Sequence, residues 1–167
     1  MKFYPNPSTF KQQLLDLKEG ESIVASQLAG DFVLPRNKKK KLVFIAGGIG
    51  ITPFHSMIKN LINTKEKRDI IQFYSNKLES EEAYKDTFAQ AHNDLNIKTV
   101  YAVTDKSDPM YTGRINEDLI KREVPDYKER YYYLSGPHNL VTAFEVTLKN
   151  LGIKRSHIKT DFFPGFV

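Results

Sequence analysis

The residues with the most evident chemical use form a glycine-rich turn, whose members are Gly47, Gly48, Gly50, Thr52 and Pro53. Five apolar residues precede the turn, and a helical pattern of apolar residues follows it. A strand, a turn and a helix in this order aim free backbone N–H groups and the positive end of a helix dipole at one point. A phosphate is the natural ligand there, with the Thr52 hydroxyl as a further donor. Many such turns need glycine only for backbone freedom, so the turn alone leaves binding open.

A second polar stretch, Ser75, Asn76 and Lys77, follows the next apolar run. A Rossmann-like sheet reads the adenosine ribose at this position, and an acidic residue there would bind the 2′-OH of NAD. The stretch contains no acidic residue. Lys77 and Ser75 could instead meet the 2′-phosphate of NADP, which slightly favours NADP. The alternative, ordinary turn chemistry, stays open.

Alternating strands and helices must position these residues. Buried strands are predicted at 42–46, 70–74, 97–103, 131–134 and 158–163, with helices at 52–64, 80–93, 115–122 and 140–151. The spacing requires crossover connections, so the sheet is parallel and its crossovers are right-handed. The predicted fold class is α/β, a Rossmann-like doubly wound sheet of five parallel strands.

Four stretches follow predicted strands and should meet at one edge of that sheet. They are Gly47–Pro53, Ser75–Lys77, the loop that begins at Thr104, and Ser135–Pro137, where Ser135, Gly136 and Pro137 should end the fourth strand. Ligands of open α/β sheets bind at the carboxyl ends of the strands. The sequence therefore predicts one binding site formed by all four stretches.

Residues 1–37 do not have the content of a complete domain. Ser8 can cap a helix that ends at Gly20, and strands are predicted at Glu21–Leu28 and Asp31–Leu34. One helix and two short strands cannot bury a core of their own. This segment must therefore pack on another part of the protein or on a partner.

Composition limits the possible functions. The 167 residues contain no cysteine, and the four histidines have no metal-ligand spacing, so we expect no metal site. Arg36 and Lys38–Lys41 supply much of the net charge of +5; a solvated linker is the preferred interpretation, and a nucleic-acid or membrane patch is the alternative. No apolar run approaches the ~20 residues of a membrane span. Without a signal peptide or cysteine, a cytoplasmic location is expected, with neither nucleic acid nor membrane as a partner.

Three motifs resemble the ferredoxin–NADP reductase superfamily. Gly48-Ile49-Gly50-Ile51-Thr52-Pro53 resembles its G-x-G-x-x-P signature, and Ser135-Gly136-Pro137 resembles its Cys-Gly-Pro, with serine in place of the cysteine near the nicotinamide C4. The segment from Thr160 to Phe166 resembles its terminal acidic-x-Phe segment. The resemblance implies that Ser135 orients the nicotinamide, that Asp161 tunes proton exchange and that Phe166 covers the flavin.

The resemblance also implies a division of the chain. Residues 1–37 would be the C-terminal remnant of an FAD-binding barrel, and residues 38–167 the NAD(P)H-binding domain. The expected function is hydride transfer from NADPH or NADH to FAD. The barrel strands with their Arg-x-Tyr-Ser motif are absent, so FAD should bind weakly or not at all to this chain alone. The alternative is a dinucleotide-binding module without turnover, which needs a flavin domain from elsewhere or an electron-acceptor protein.

One mutational expectation follows from the turn. If the pyrophosphate lies against Gly50, a valine side chain there occupies its place. Gly50→Val should then abolish dinucleotide binding and leave the fold largely intact.

Overall fold

The computed structural model describes residues 8–24 and 30–163, and the chain separates into two compact units, residues 1–31 and 32–167. In the first unit, α1 spans Thr9–Asp16, and the Ser8 hydroxyl accepts the Lys11 N–H at its start, as predicted. None of the described residues 21–24 is in a strand, and residues 25–28 of that predicted strand lie outside the described residues. No residue of α1 is buried.

The second unit is built on five parallel strands in the order β3-β2-β1-β4-β5. The strands are β1 (Leu42–Gly47), β2 (Ile70–Asn76), β3 (Lys98–Val103), β4 (Tyr131–Pro137) and β5 (Ile158–Phe163). The helices are α2 (Ile51–Thr64), α3 (Lys85–Leu95), α4 (Glu117–Glu123) and α5 (His138–Asn150). The predicted fold class is confirmed.

Several element boundaries differ from the prediction, among them the end of α1, which is Asp16 and not Gly20. The glycine-rich turn is itself helical, a 3-10 turn over Gly48–Gly50 that runs directly into α2. Helix α3 begins at Lys85 and not near residue 80. Ser-Gly-Pro does not break β4, which continues through Pro137 because β5 pairs with it as far as Phe163.

Two hydrophobic clusters lie on opposite faces of the sheet. Along β1, Leu42, Phe44 and Ala46 belong to one cluster, which includes the buried faces of α2 and α3. Val43 and Ile45 belong to the other, together with buried residues of α4 and α5. The alternation follows from the two-residue period of a strand, and β1 is buried throughout because helices cover both of its faces.

The predicted strand Asp31–Leu34 is wrong, since residues 30–35 include no strand. Phe32 packs by its side chain instead, with its ring centroid 5.3 Å from that of Tyr133 and 5.7 Å from that of Phe54. The Tyr133 hydroxyl donates to the Val33 carbonyl at 2.9 Å. Aromatic packing and a side-chain bond thus take the place of strand pairing in this segment.

The basic run that follows is anchored to the sheet's amino-terminal edge. Lys40 lies over the Tyr131 ring at 3.8 Å, and Lys41 binds Asp126 at 2.8 Å and Glu129 at 3.1 Å. Lys38 pairs with Glu66. These pairs favour the linker interpretation over a basic patch that is free to bind a polyanion.

Two buried arginines complete that edge. Arg130 donates to Asp69 and to Asp126, at 2.6 Å each, and to the Leu42 carbonyl at 3.3 Å. Arg68 donates to Glu66 at 2.6 Å and to the Pro35 carbonyl at 3.0 Å. Together they fix the linker and the starts of the central strands.

We expect Arg130→Ala to lower the free energy of unfolding by about 3 kcal/mol, because it removes the donor to Asp69 and to the Leu42 carbonyl and leaves Asp126 with Lys41 alone. Urea unfolding at pH 7 measures this. The control is Arg122→Ala, whose side chain is 71% exposed and should change stability by less than about 0.5 kcal/mol. Equal effects of the two changes would contradict the role given to Arg130.

The same cluster predicts a loss of stability in acid. Burial alone would raise the pKa of Asp126, but hydrogen bonds from Arg130 and Lys41 outweigh it and hold the pKa below its usual value. Stability from this carboxylate is therefore present above the unfolded-state pKa, about 3.9, and is lost as the pH falls through the lower folded-state pKa. As the pH is lowered through this range, the urea concentration at the midpoint of unfolding should decrease less steeply for Asp126→Asn than for the parent chain.

Candidate functional site

The order of the strands creates a crevice at the carboxyl edge of the sheet. From β1 the chain proceeds outward through β2 and β3, and then returns to the other side of β1 for β4 and β5. The connections after β1 and β4 therefore diverge, and open α/β sheets bind ligands at such a switch point. Gly47 ends β1 and Pro137 ends β4, so two of the predicted stretches flank this crevice.

The glycine turn and the end of β4 are in close backbone contact. A Cβ atom at Gly50 would collide with the Ser135 carbonyl group and would lie 2.6 Å from the Gly136 Cα. A Cβ atom at Gly136 would lie 3.2 Å from the Gly47 nitrogen and oxygen. Packing of one backbone on another thus requires glycine at position 50, whereas at Gly136 the contact is tight and the φ of +155° also favours glycine. The expectation that Gly50→Val spares the fold is wrong, since the side chain would meet β4.

Gly48 has a different environment. Its φ is +51°, a left-handed conformation that favours glycine, and a Cβ atom there would have nothing within 4 Å. The Thr52 hydroxyl donates to the Ile49 carbonyl at 3.1 Å, so it closes the turn. Together with the first turn of α2, this open side of Gly48 provides a place where an anion can approach backbone N–H groups.

Ser135 is completely buried, and its hydroxyl has no hydrogen-bond partner among the described residues. Its Cα pairs with that of Ala46 on one side and with that of Asp161 on the other. Asp161 is half-buried, and Gly136 and Pro137 follow Ser135 in the strand. The structure therefore brings Ser135 and Asp161 together beside the crevice. Phe166 lies outside the described residues.

We expect Ser135→Ala to leave the free energy of unfolding unchanged or to raise it by up to about 1 kcal/mol. The reason is that a buried hydroxyl without a partner costs free energy in the folded state. Thermal and urea unfolding of the two proteins test this. A loss of more than 1 kcal/mol would show that the hydroxyl has a structural partner.

The exits of β2 and β3 are joined by hydrogen bonds. The Thr104 N–H and hydroxyl both donate to the Asn76 carbonyl, at 3.0 and 3.1 Å, and the Asp105 N–H donates to the Lys77 carbonyl at 3.0 Å. Asn76 is 4% exposed, and its side-chain amide has no partner among the described residues. Ser75 is half-buried. The second and third predicted stretches therefore lie side by side.

Asp105 is the residue of this edge that sequence reasoning missed. Its carboxylate lies 3.8 Å from the Lys77 ammonium. The signal was present in the sequence, since Asp105 follows the predicted third strand by two residues. The sequence does not show that this strand pairs with β2. That pairing brings the Asp105 carboxylate next to Ser75–Lys77, a stretch that contains no acidic residue.

The described residues show no group of three or more histidine, cysteine or acidic side chains that could hold a metal ion. Within the same part of the chain, no helix is long and apolar enough to cross a lipid bilayer.

A parallel sheet with a glycine turn at its switch point defines a Rossmann-like dinucleotide-binding domain. The profile of the oxidoreductase NAD-binding domain matches residues 44–145. The chain belongs to this family, and the nicotinamide dinucleotide is its expected ligand. The match runs from β1 into α5 and so includes all four stretches that were predicted to form the site.

Among curated proteins, a flavohemoprotein of Bacillus cereus is 30% identical over an alignment 164 residues long. The match covers 88% of this chain and 38% of the relative. The chain thus spans about two fifths of the length of that relative. Flavohemoglobin from Malassezia yamatoensis, solved with bound FAD and heme, superposes with a TM-score of 0.75 at 22% identity, covering 98% of this chain and 43% of the other.

A mutant of ferredoxin-NADP+ reductase from Plasmodium falciparum, solved with 2'P-AMP, also gives a TM-score of 0.75, at 20% identity. The superposition covers 97% of this chain and 68% of that one. At this level of identity the likeness shows the fold. The predicted resemblance to the nicotinamide-binding domain of the ferredoxin–NADP reductase superfamily is therefore confirmed in the fold, and the profile match confirms the oxidoreductase NAD-binding domain.

Proposed function

We propose that this chain is the NAD(P)H-binding part of a flavin-dependent reductase. The observation that carries the proposal is the contact between the glycine turn and the end of β4 at the switch point of the sheet. Through this contact the glycine turn, which could hold a phosphate, lies next to Ser135, whose buried hydroxyl has no partner among the described residues. The bound cofactors would supply the redox chemistry, the transfer of a hydride (two electrons with one proton) from the nicotinamide to the flavin.

The chain's own residues have three roles in this proposal. Gly47, Gly48, Gly50, Thr52 and Pro53 form the turn that holds the pyrophosphate. Ser75, Asn76, Lys77 and Thr104 line the adenosine end. Ser135 offers a hydrogen bond to the nicotinamide, Gly136 and Pro137 shape the strand end beneath it, and Asp161 tunes proton exchange beside it. In a buried site such a bond orients the ring with little competition from water.

We further propose that residues 1–37 are the end of a flavin-binding domain and that residues 38–167 are the dinucleotide domain. Helix α1 supports this, because Phe10 is 69% exposed, and Leu14, Leu15 and the C-cap residue Leu17 are each at least 37% exposed. An eight-residue helix with these apolar side chains in water is typical of an element that packs on another domain. The flavin would then be bound mainly by protein outside this chain.

The test is the visible spectrum of the purified chain after dialysis against FAD and addition of NADH or NADPH. Retained flavin that is bleached by a nicotinamide would show a reductase that works by itself. Dinucleotide binding without retained flavin would support the second candidate, a binding module that depends on a separate flavin domain. Absence of dinucleotide binding in calorimetry would refute both.

A further inference from the structure

We infer that this chain prefers the dinucleotide without a 2′-phosphate, and that Asp105 sets the preference. The inference rests on the proposed binding of a dinucleotide at the carboxyl edge and specifies which one it is. It reverses the slight preference for NADP that Ser75 and Lys77 suggested in the sequence.

Backbone bonds fix Asp105 beside the position that reads the ribose. In sheets of this class, the residues just after β2 contact the hydroxyl groups of the adenosine ribose. Here the pairing of β2 with β3 continues past both strands, through Thr104 to Asn76 and through Asp105 to Lys77. Asp105 is therefore held at the end of β2 by the neighbouring chain, although it does not belong to β2.

The carboxylate is oriented and ionised. One oxygen accepts the Ser107 hydroxyl at 2.7 Å and the Ser107 N–H at 2.9 Å, while the other lies 3.8 Å from Lys77 Nζ. The hydroxyl bond, the N–H bond and then the charge of Lys77 lower the pKa of Asp105 below its usual value. Lys77 thus faces a permanent negative charge. A 2′-phosphate that approached Lys77 would meet that charge as well.

The surroundings add to this repulsion. Asp108 accepts the Glu79 N–H at 3.0 Å, and Lys85 already pairs with Glu79 at 3.2 Å and with Glu82 at 2.8 Å. Segments 75–85 and 104–114 contain five carboxylates against three lysines and Arg114, whereas the whole chain has a net charge of +5. A phosphate monoester carries about −1.5 to −2 charges at pH 7. The 2′-OH of NAD, in contrast, can donate to a carboxylate.

The experiment is titration calorimetry of the purified chain with NAD+ and with NADP+, which requires no flavin. The parent chain should bind NAD+ at least about tenfold more tightly, a difference of roughly 1.4 kcal/mol. Asp105→Asn removes the charge, keeps an oxygen for Ser107 and frees Lys77. This variant should bind NADP+ about tenfold more tightly than the parent does.

The matched control is Asp94→Asn, which removes the same charge from an exposed residue near the C-terminal end of α3 and should change neither affinity. Tighter binding of NADP+ by the parent chain, lost in Lys77→Gln or Arg114→Gln, would overturn the inference. An unchanged NADP+ affinity in Asp105→Asn would overturn the role of Asp105. Failure to bind either dinucleotide would instead refute the proposed function, and this inference with it.

Discussion

Gly50→Ala is expected to lower the free energy of unfolding by about 3 kcal/mol, the upper end of the usual cost of adding a methyl group to a packed interior. Gly50 has φ −61° and ψ −5°, a helical conformation that alanine adopts readily. Alanine at this position therefore causes no backbone strain. The cost comes from β4, because the new methyl group would overlap the Ser135 carbonyl and lie 2.6 Å from the Gly136 Cα.

Circular dichroism of the heat-induced and urea-induced transitions measures this effect. A loss of 3 kcal/mol in a chain of this size corresponds to a fall of about 10 °C in Tm. The matched control is Gly48→Ala two positions earlier, which adds the same methyl group where nothing lies within 4 Å. It should cost only the ~1 kcal/mol of a left-handed alanine. The contact is refuted if Gly50→Ala proves as stable as Gly48→Ala.

Gly48→Asp is expected to weaken dinucleotide binding about a hundredfold or more while the fold persists. Aspartate tolerates the left-handed conformation of Gly48 better than most residues. Its side chain would extend into the open side of the turn, where the proposed pyrophosphate lies. A carboxylate a few ångströms from a phosphate opposes binding by several kcal/mol in a partly buried site.

Gly48→Asn separates charge from volume, because asparagine has the same shape and the same tolerance of positive φ. It should weaken binding by roughly tenfold, so that most of the loss in the aspartate variant is electrostatic. Titration calorimetry with the dinucleotide compares the three proteins, and circular dichroism confirms that each is folded. Parent-like affinity in the aspartate variant would place the ligand elsewhere.

The sequence was sufficient for the sheet because its signals are local. An apolar run such as Leu42–Ala46 identifies a buried strand, and the alternation with helices identifies a parallel sheet. Prediction from the sequence failed where contacts with a distant part of the chain determine whether a residue joins a strand. Ser135-Gly136-Pro137 looks like a strand break, yet pairing with β5 extends β4 through it. Phe32 lies in an apolar segment that was predicted as a strand, yet it packs by its ring and joins no strand.

The candidate site shows the same division. Its glycines were predicted from their positions after strands and from the family resemblance. Which glycine meets protein and which faces open space depends on the distance between two connections, and the sequence does not contain that distance. Asp105 was visible as a loop residue. Its importance depends on the pairing of β3 with β2, which is a long-range property of the sheet.

The ion-paired arginines lie at one end of the strands and the crevice at the other, separated by roughly 20 Å of β-sheet. The residues that we propose for ligand binding lie at the carboxyl edge, and the hydrogen bonds of Arg68 and Arg130 reach none of them. If the proposed site is right, substitutions in the connections at that edge should change cofactor choice without disturbing the arginine contacts. Segments 75–85 and 104–114 are joined by hydrogen bonds, so a design that exchanges them should exchange both together. Such an exchange is expected to change dinucleotide selectivity while the rest of the domain stays the same.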